Sequence, residues 1–192
     1  KADGTLTEMM SYGIVQLINT ENIDVTVDLH EASPEYPVIN ALIAHERAMN
    51  LASNVVVDMQ MEGVQISLEP SPTDLRGLTH RELGDHTDTL ALLMEAPNPA
   101  QGRLRDRTDE ALVLTGKSET YVKAGEIGQL YVPYDENGWP IEVRCARHVF
   151  GIERILANYS EMYEEPIIVT GMPSYDELVK NGMGPYLNEP TT

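Results

Sequence analysis

Cysteine, large aromatic residues and long apolar runs are scarce in this chain of 192 residues. A single cysteine, Cys145, excludes an internal disulfide framework and any zinc site built from several thiolates. With one tryptophan and one phenylalanine, the core has to be built from Leu, Ile, Val, Met and Ala side chains. No apolar run approaches the ~18 residues that a membrane-spanning helix needs. The length suits a single domain over residues 1–192.

Basic residues and familiar catalytic motifs are also few. The chain has 13 basic against 31 acidic residues, which gives a formal net charge of −18. A surface this negative repels phosphate backbones and anionic lipids, so we expect neither nucleic acid nor a membrane surface as a partner. There is no G-x-S-x-G, no P-loop and no G-x-G-x-x-G. Serine hydrolases, phosphate cradles and dinucleotide enzymes therefore have no support.

The spacing of apolar residues predicts alternating helices and strands. Helical periods, capping boxes and a first-turn proline predict helices over residues 6–18, 38–60, 118–130, 140–159 and 174–182. Short apolar runs predict strands over residues 23–29, 64–68 and 89–94. Segment 69–88 is polar without a strong period, which is typical of a functional or mobile loop. The alternation predicts an α/β fold with a largely parallel or mixed sheet and helices on both faces.

Two of the predicted strands stop at ionisable residues, the first at His30-Glu31 and the later one at Glu95. In open α/β sheets, ligands bind beyond the carboxyl ends of the strands. A neutral imidazole is a good zinc ligand, and a carboxylate at a dry rim can act as a general base. The pattern therefore indicates His30 as a metal ligand and Glu95 as a proton-transfer group. The alternative is that both are polar residues at wet strand ends.

A second group of polar residues lies in segment 69–88. Arg76 and Arg81 stand out because the chain has so few cations, and a guanidinium can clamp a substrate carboxylate through two parallel hydrogen bonds. The neighbouring stretches 80–82 and 85–88 could bind a metal or an anionic group. A solvated loop that pairs its own arginines and carboxylates explains the segment equally well.

Three further residues are expected to be structural. His45 is predicted on the surface of a helix, and His148 is predicted to pack within a helix or to make a local hydrogen bond. Cys145 is predicted to be a buried, inert thiol because no base is near it in the sequence.

Two segments resemble parts of the zinc carboxypeptidase superfamily, including its succinylglutamate desuccinylase and aspartoacylase branch. VTVDLHEASPEYP (25–37) is similar to the strand and turn that carry the third zinc ligand of that family. DTLALLMEAPNP (88–99) is similar to the later strand that ends on its catalytic glutamate. The resemblance implies zinc as the cofactor and His30 as a ligand. It implies that Glu95 activates a water and then protonates the leaving amine.

The chain departs from the family pattern in its first zinc ligands, because it has no H-x-x-E motif and only 29 residues precede His30. The asparagine-arginine pair that binds the substrate carboxylate and the upstream tyrosine also lack counterparts. The resemblance thus implies the C-terminal part of a larger catalytic domain that is inactive alone. The expected substrate is the C-terminal amino acid of a peptide. The alternatives are deacylation of an N-acyl amino acid, a metal-free binding module, and a subunit whose partner supplies the missing ligands.

Overall fold

The computed structural model describes residues 3–187, which contain one four-stranded sheet. Its strands are β1 (Val25–Ala32), β2 (Ala41–Ala44), β3 (Ser67–Pro70) and β4 (Leu90–Pro97). The spatial order is β1-β4-β2-β3. β4 runs parallel to β1 and antiparallel to β2, and β2 runs parallel to β3. This mixed sheet confirms the predicted α/β class.

Seven α-helices surround the sheet within the described residues. They are α1 (Leu6–Glu21), α2 (Met49–Met61), α3 (Thr79–His86), α4 (Glu110–Thr115), α5 (Glu119–Glu126), α6 (Ile141–Met162) and α7 (Tyr175–Asn181). Capping boxes open α1 at Thr5 and α7 at Ser174, because each hydroxyl accepts from the third helical N–H and the glutamate there returns a hydrogen bond. The predicted helix starts at these boxes are confirmed. Of the helices in residues 3–187, none is long and apolar enough to cross a bilayer.

The prediction of one helix over residues 38–60 is wrong in its first part. Residues Ala41–Ala44 form β2 with every side chain buried, and α2 begins only at Met49. A strand that is covered on both faces shows no alternation of polar and apolar residues, so Leu42 and Ile43 fit a helical period equally well. A short 3-10 helix, Glu46–Ala48, connects β2 to α2.

Other boundaries also differ from the predictions, among them those of β3, predicted over 64–68, and α5, predicted over 118–130. β1 and β4 each continue two residues beyond His30 and Glu95, so these residues lie within their strands and do not end them. Segment 69–88 contains the end of β3 and the whole of α3, where a loop was predicted. α3 has only eight residues, too few for its period to stand out in a polar sequence.

Helices pack on both faces of the sheet, as predicted. α2 and α6 cover one face, where they enclose Leu42 and Met94 in the main core. α1 and α3 cover the other face, where Ile18 and Leu83 pack on Ala91 of β4. Because strand side chains alternate in direction, the side chain at position 95 lies on the same face as Ala91. The α1/α3 face is therefore the one that carries Glu95.

The reversal of direction between β4 and β2 gives the sheet two different ends. The carboxyl ends of β1 and β4 lie together at one end, called here the β1/β4 end. The carboxyl ends of β2 and β3 lie at the opposite end, called here the β2/β3 end.

Candidate functional site

His30 and Glu95 are direct neighbours across the parallel strands β1 and β4. They are register partners, and Nδ1 of His30 lies 3.9 Å from Oε2 of Glu95. The side chain of His30 is 48% exposed, whereas that of Glu95 is 11% exposed. The expectation that these two residues meet near one end of the sheet is therefore confirmed. Their chemical roles stay predictions.

Asp28 fixes the orientation of the His30 ring. It lies two residues earlier on the same face of β1, and its Oδ2 is 3.1 Å from Nε2 of His30. A carboxylate at this distance holds the imidazole proton on Nε2 and leaves the lone pair of Nδ1 available for a metal. Nδ1 is the ring nitrogen on the Glu95 side, so the available lone pair and the carboxylate face the same space.

Glu95 is a carboxyl group in a mostly dry environment. Burial raises its pKa to about 7, with Asp28 and Glu31 acting in the same direction and His30 opposing them. Desolvation has this sign because it disfavours the charged form. A carboxyl group with a pKa near 7 can both take up and release a proton at neutral pH, which is the property of a general base that later acts as an acid.

On the opposite face of β1, a partly buried ion pair connects the strand to α6. Arg144 of α6 is 1% exposed, and its Nη1 lies 3.2 Å from the carboxylate of Glu31. Its Nη2 donates to the carbonyl of Val113 at 2.7 Å. The amide of Asn98, just beyond β4, donates to Glu31 at 2.6 Å. These contacts hold α6, β1 and the segment after β4 together behind the candidate site.

His80 of α3 lines an apolar cavity beside Asp28. The cavity has a volume of about 550 Å³ and lies between α1, β1 and α3. His80 is 4% exposed, and within the described residues neither of its ring nitrogens has a hydrogen-bond partner. Burial lowers the pKa of His80, while the charge of Asp28 opposes this effect. A neutral imidazole therefore adjoins the Asp28-His30 pair.

Arg76 and Arg81 lie at the β2/β3 end, and the structure does not bring them to His30 and Glu95. Arg81 is 3% exposed and donates to both Glu46 and Asp85, at 2.7 and 2.6 Å. Arg76 donates to the same Asp85 at 2.5 Å. Hydrogen bonding to Arg81 lowers the pKa of Glu46 to about 2. The alternative of a solvated loop that pairs its own charges fits only in part, because Asp85 of the same segment pairs with both arginines, whereas Arg81 is buried in α3 and also pairs with Glu46 outside the segment.

Three further residues, His45, His148 and Cys145, were predicted to be structural. His45 was predicted at a helix surface, but it is 6% exposed and its ring caps the 3-10 helix by accepting from the N–H of Arg47. Its Nε2 also lies 3.2 Å from Asp85. His148 packs in α6 as expected, and burial lowers its pKa to about 4. Cys145, predicted to be buried, is only half-buried, and burial raises the pKa of its thiol.

The described residues fit a zinc site only in part. Within residues 3–187, no group of three or more His, Cys, Asp or Glu side chains is arranged to hold a metal ion. A catalytic zinc normally has three protein ligands. His30 fits one of them, because Asp28 orients its ring in the manner of an outer-shell carboxylate.

Comparisons of the chain with protein-family models, curated proteins and solved structures found no match. The resemblance to zinc carboxypeptidases therefore rests on the two segments around His30 and Glu95. Sequence reasoning missed the role of Asp28, although the D-x-H spacing places both side chains on one face of a strand. It also missed the isolation of His80 and the pairing of Arg144 with Glu31, for which the sequence offers no local signal.

Proposed function

We propose that this chain supplies the general base and one metal ligand of a zinc-dependent hydrolase of the carboxypeptidase type, which removes a C-terminal amino acid from a peptide. The observation that carries the proposal is the pairing of His30 with Glu95. His30 offers an oriented imidazole nitrogen, Nδ1, which lies 3.9 Å from Oε2 of Glu95. Glu95 is a carboxyl group with a pKa of about 7. This combination suits metal-assisted attack of water on an amide.

Each residue has a defined part in the proposed reaction. Asp28 holds the proton of His30 on Nε2, so that Nδ1 is the atom offered to the metal. Zinc, when bound, polarises the amide carbonyl and makes water a better nucleophile. Glu95 accepts a proton from the water as its oxygen attacks the carbonyl carbon. It then gives this proton to the amide nitrogen as the C–N bond breaks.

The proposal requires metal ligands beyond those in residues 3–187, because His30 alone does not hold a catalytic zinc. Other residues of the native protein or a partner subunit would supply them. The chain by itself is therefore expected to show no turnover. Its contribution is a preformed base and one ligand atom on two rigid strands.

The test uses the native protein that contains these residues, purified with zinc. Peptides with a free C-terminal carboxylate and N-acyl amino acids are assayed in parallel, because deacylation is the alternative reaction on the same fold. Glu95→Gln is expected to lower kcat by ~100-fold or more without changing the zinc content. The matched control is Glu69→Gln, a half-buried carboxylate on β3 at the other end of the sheet, which should retain the wild-type rate.

Two results would overturn this assignment. An unchanged rate in Glu95→Gln would reject Glu95 as the general base. No turnover of either substrate class by the zinc-loaded protein would reject the hydrolase function. The second result would favour a metal-free binding module. That candidate is supported by one observation, the lack of a three-ligand group within residues 3–187.

A further inference from the structure

The segment between β4 and α4 carries three arginines at alternate positions, Arg103, Arg105 and Arg107. All three side chains are on exposed residues. The chain has only 13 basic residues, so this five-residue stretch concentrates a large share of its positive charge. It begins eight residues after Glu95 in the sequence, and it was not singled out by the sequence patterns above.

These arginines differ from the other six in their surroundings. Each of the others donates to an oxygen elsewhere in the chain; they are Arg47, Arg76, Arg81, Arg144, Arg147 and Arg154. Among the described residues, Arg103, Arg105 and Arg107 form no ion pair within 4 Å, and Arg105 donates only to the carbonyl of Gly102 in its own loop. The intervening Asp106 instead accepts from the hydroxyl of Thr120. Unpaired guanidinium groups in a chain with 31 acidic residues indicate a cationic surface that is kept available.

The arginine segment is anchored at the β1/β4 end, the end nearer to His30 and Glu95. Asn98 donates its backbone N–H to Ala32 at 2.7 Å, and Gln101 donates its side-chain amide to the carbonyl of Glu31 at 3.1 Å. These bonds join the start of the segment to the last residues of β1. The arginines therefore extend from the same end of the sheet as the candidate site.

The backbone of the segment is held by Glu35 and Tyr121. Glu35 accepts from the N–H of Arg103 at 2.6 Å and from the hydroxyl of Tyr121 at 2.5 Å. Gly102 has a φ of +86°, and a Cβ there would lie 2.3 Å from Glu35 and 2.6 Å from the Tyr121 hydroxyl. Because Tyr121 is fully buried, the turn that presents the arginines is fixed to the protein interior.

Two open cavities adjoin the arginines. One, of about 580 Å³, is lined by all three arginines together with Asp106 and Thr108. The other, of about 510 Å³, shares Arg103 and is lined by residues 128–131 and Glu35. Both lie open to solvent, so they can admit the charged end of a ligand without enclosing it.

We infer that Arg103, Arg105 and Arg107 form the carboxylate-recognition element of the substrate site. A guanidinium matches a carboxylate through two parallel hydrogen bonds. A local positive field is also needed, because a protein with a net charge of −18 otherwise repels an anionic substrate. The inference rests on the proposed function, and it places substrate recognition at these arginines rather than at the internally paired Arg76 and Arg81.

The test measures binding to the 192-residue chain by NMR titration, so that it does not depend on zinc or turnover. The probes are N-benzoylglycine, its neutral amide and inorganic phosphate. The wild-type chain should bind N-benzoylglycine and show no saturable binding of the amide. The triple variant Arg103→Gln, Arg105→Gln, Arg107→Gln should bind the carboxylate at least tenfold more weakly. Arg76→Gln is the control, since Arg76 is a 65% exposed arginine at the other end of the sheet, and it should bind as the wild type does.

Equal binding by the triple variant and the wild type would overturn the inference, as would equal binding of the amide and the carboxylate. Tighter binding of inorganic phosphate than of N-benzoylglycine would also overturn it. These outcomes are separate from a failure of the proposed function. Carboxylate binding that depends on the arginines, without turnover in the zinc-loaded native protein, would reject the hydrolase and retain the recognition element.

Discussion

Glu95 is the register partner of His30, yet its carboxyl group is 11% exposed where the imidazole is 48% exposed. The two side chains thus share a position in the sheet but not a solvent environment. The solvent-exposed imidazole of His30 has a free lone pair on Nδ1. Burial raises the pKa of the Glu95 carboxyl group to about 7. This difference gives the pair measurable consequences in the absence of any substrate or metal.

Glu95 is expected to make the native state less stable as pH rises. Its native pKa of about 7 lies above the ordinary value of 4.5, so the native state holds a proton that the unfolded chain has already lost. The free energy of unfolding therefore falls between about pH 4.5 and pH 7, by up to ~3 kcal/mol. Glu95→Gln should remove this loss. Urea denaturation of both proteins at pH 5 and pH 8 checks it.

Glu21→Gln, which replaces an exposed carboxylate at the end of α1, serves as the control for the loss of one negative charge. If wild type and Glu95→Gln differ by the same free energy at both pH values, Glu95 ionises without cost in the native state. Its proposed role as a base with a pKa near neutrality would then fail.

Asp28 is expected to set the tautomer of His30. The 3.1 Å contact with Nε2 favours the neutral ring protonated on Nε2, with Nδ1 bare. Nitrogen chemical shifts of the imidazole at pH 8 report the position of the proton directly. Asp28→Leu should increase the fraction protonated on Nδ1. A wild-type ring protonated mainly on Nδ1 would contradict the assignment of Nδ1 as the ligand atom.

Arg144 is expected to contribute strongly to stability. Arg144→Met removes the buried cation that pairs with Glu31 and the donor to the carbonyl of Val113, and leaves Glu31 with its hydrogen bond from Asn98; this should lower the free energy of unfolding by about 3 kcal/mol. Thermal or urea denaturation measures the loss. Arg154→Met is the matched control on the same helix, because Arg154 forms a partly exposed ion pair with its neighbour Glu153 and lies 5.4 Å from the centroid of the Phe150 ring, and it should cost less than about 1 kcal/mol. Equal losses of unfolding free energy in the two variants would show that the Arg144-Glu31 pair stabilises the fold no more than an exposed ion pair does.

His80 is expected to reduce stability in its present place. Both ring nitrogens are buried without partners among the described residues, and the adjoining cavity leaves room for a larger ring. His80→Phe should raise the free energy of unfolding by about 1 kcal/mol, because two desolvated polar atoms are removed. His45→Phe is the contrasting control, since it breaks the contacts of His45 with Asp85 and Glu46, and it should destabilise the protein. A loss of stability in both variants would mean that His80 has a partner after all.

The sequence allowed the α/β class, most elements and the meeting of His30 with Glu95 to be predicted, because these depend on local periods and on strand order. It did not reveal β2, since four buried residues without alternation carry no strand signature. It also placed His45 at the surface, because the burial of this residue depends on α3, whose Gly84 packs directly against its ring.

Long-range pairing explains the remaining differences. Arg81 contacts Glu46 across 35 positions of the chain, and Arg144 contacts Glu31 across 113. No window of the sequence joins such residues. That Arg103, Arg105 and Arg107 form no ion pair within residues 3–187 is likewise a property of the folded chain, because it depends on where the carboxylates of this part of the chain are placed in space.

Because β4 and β2 run in opposite directions, the proposed site and the ion pairs of Arg81 lie at opposite ends of β4. β4 has eight residues, so the His30-Glu95 pair near its carboxyl end lies roughly 20 Å from its other end, where Arg81 and Arg76 pair with Glu46 and Asp85. Substitutions at such distances combine additively. Substitutions around Arg81 and Asp85 can therefore change the stability of the fold without altering the proposed site at Glu95, and the proposed site can change without weakening these ion pairs. Because β2 runs antiparallel to β4, the ion pairs that stabilise the fold and the residues of the proposed site can change independently in evolution.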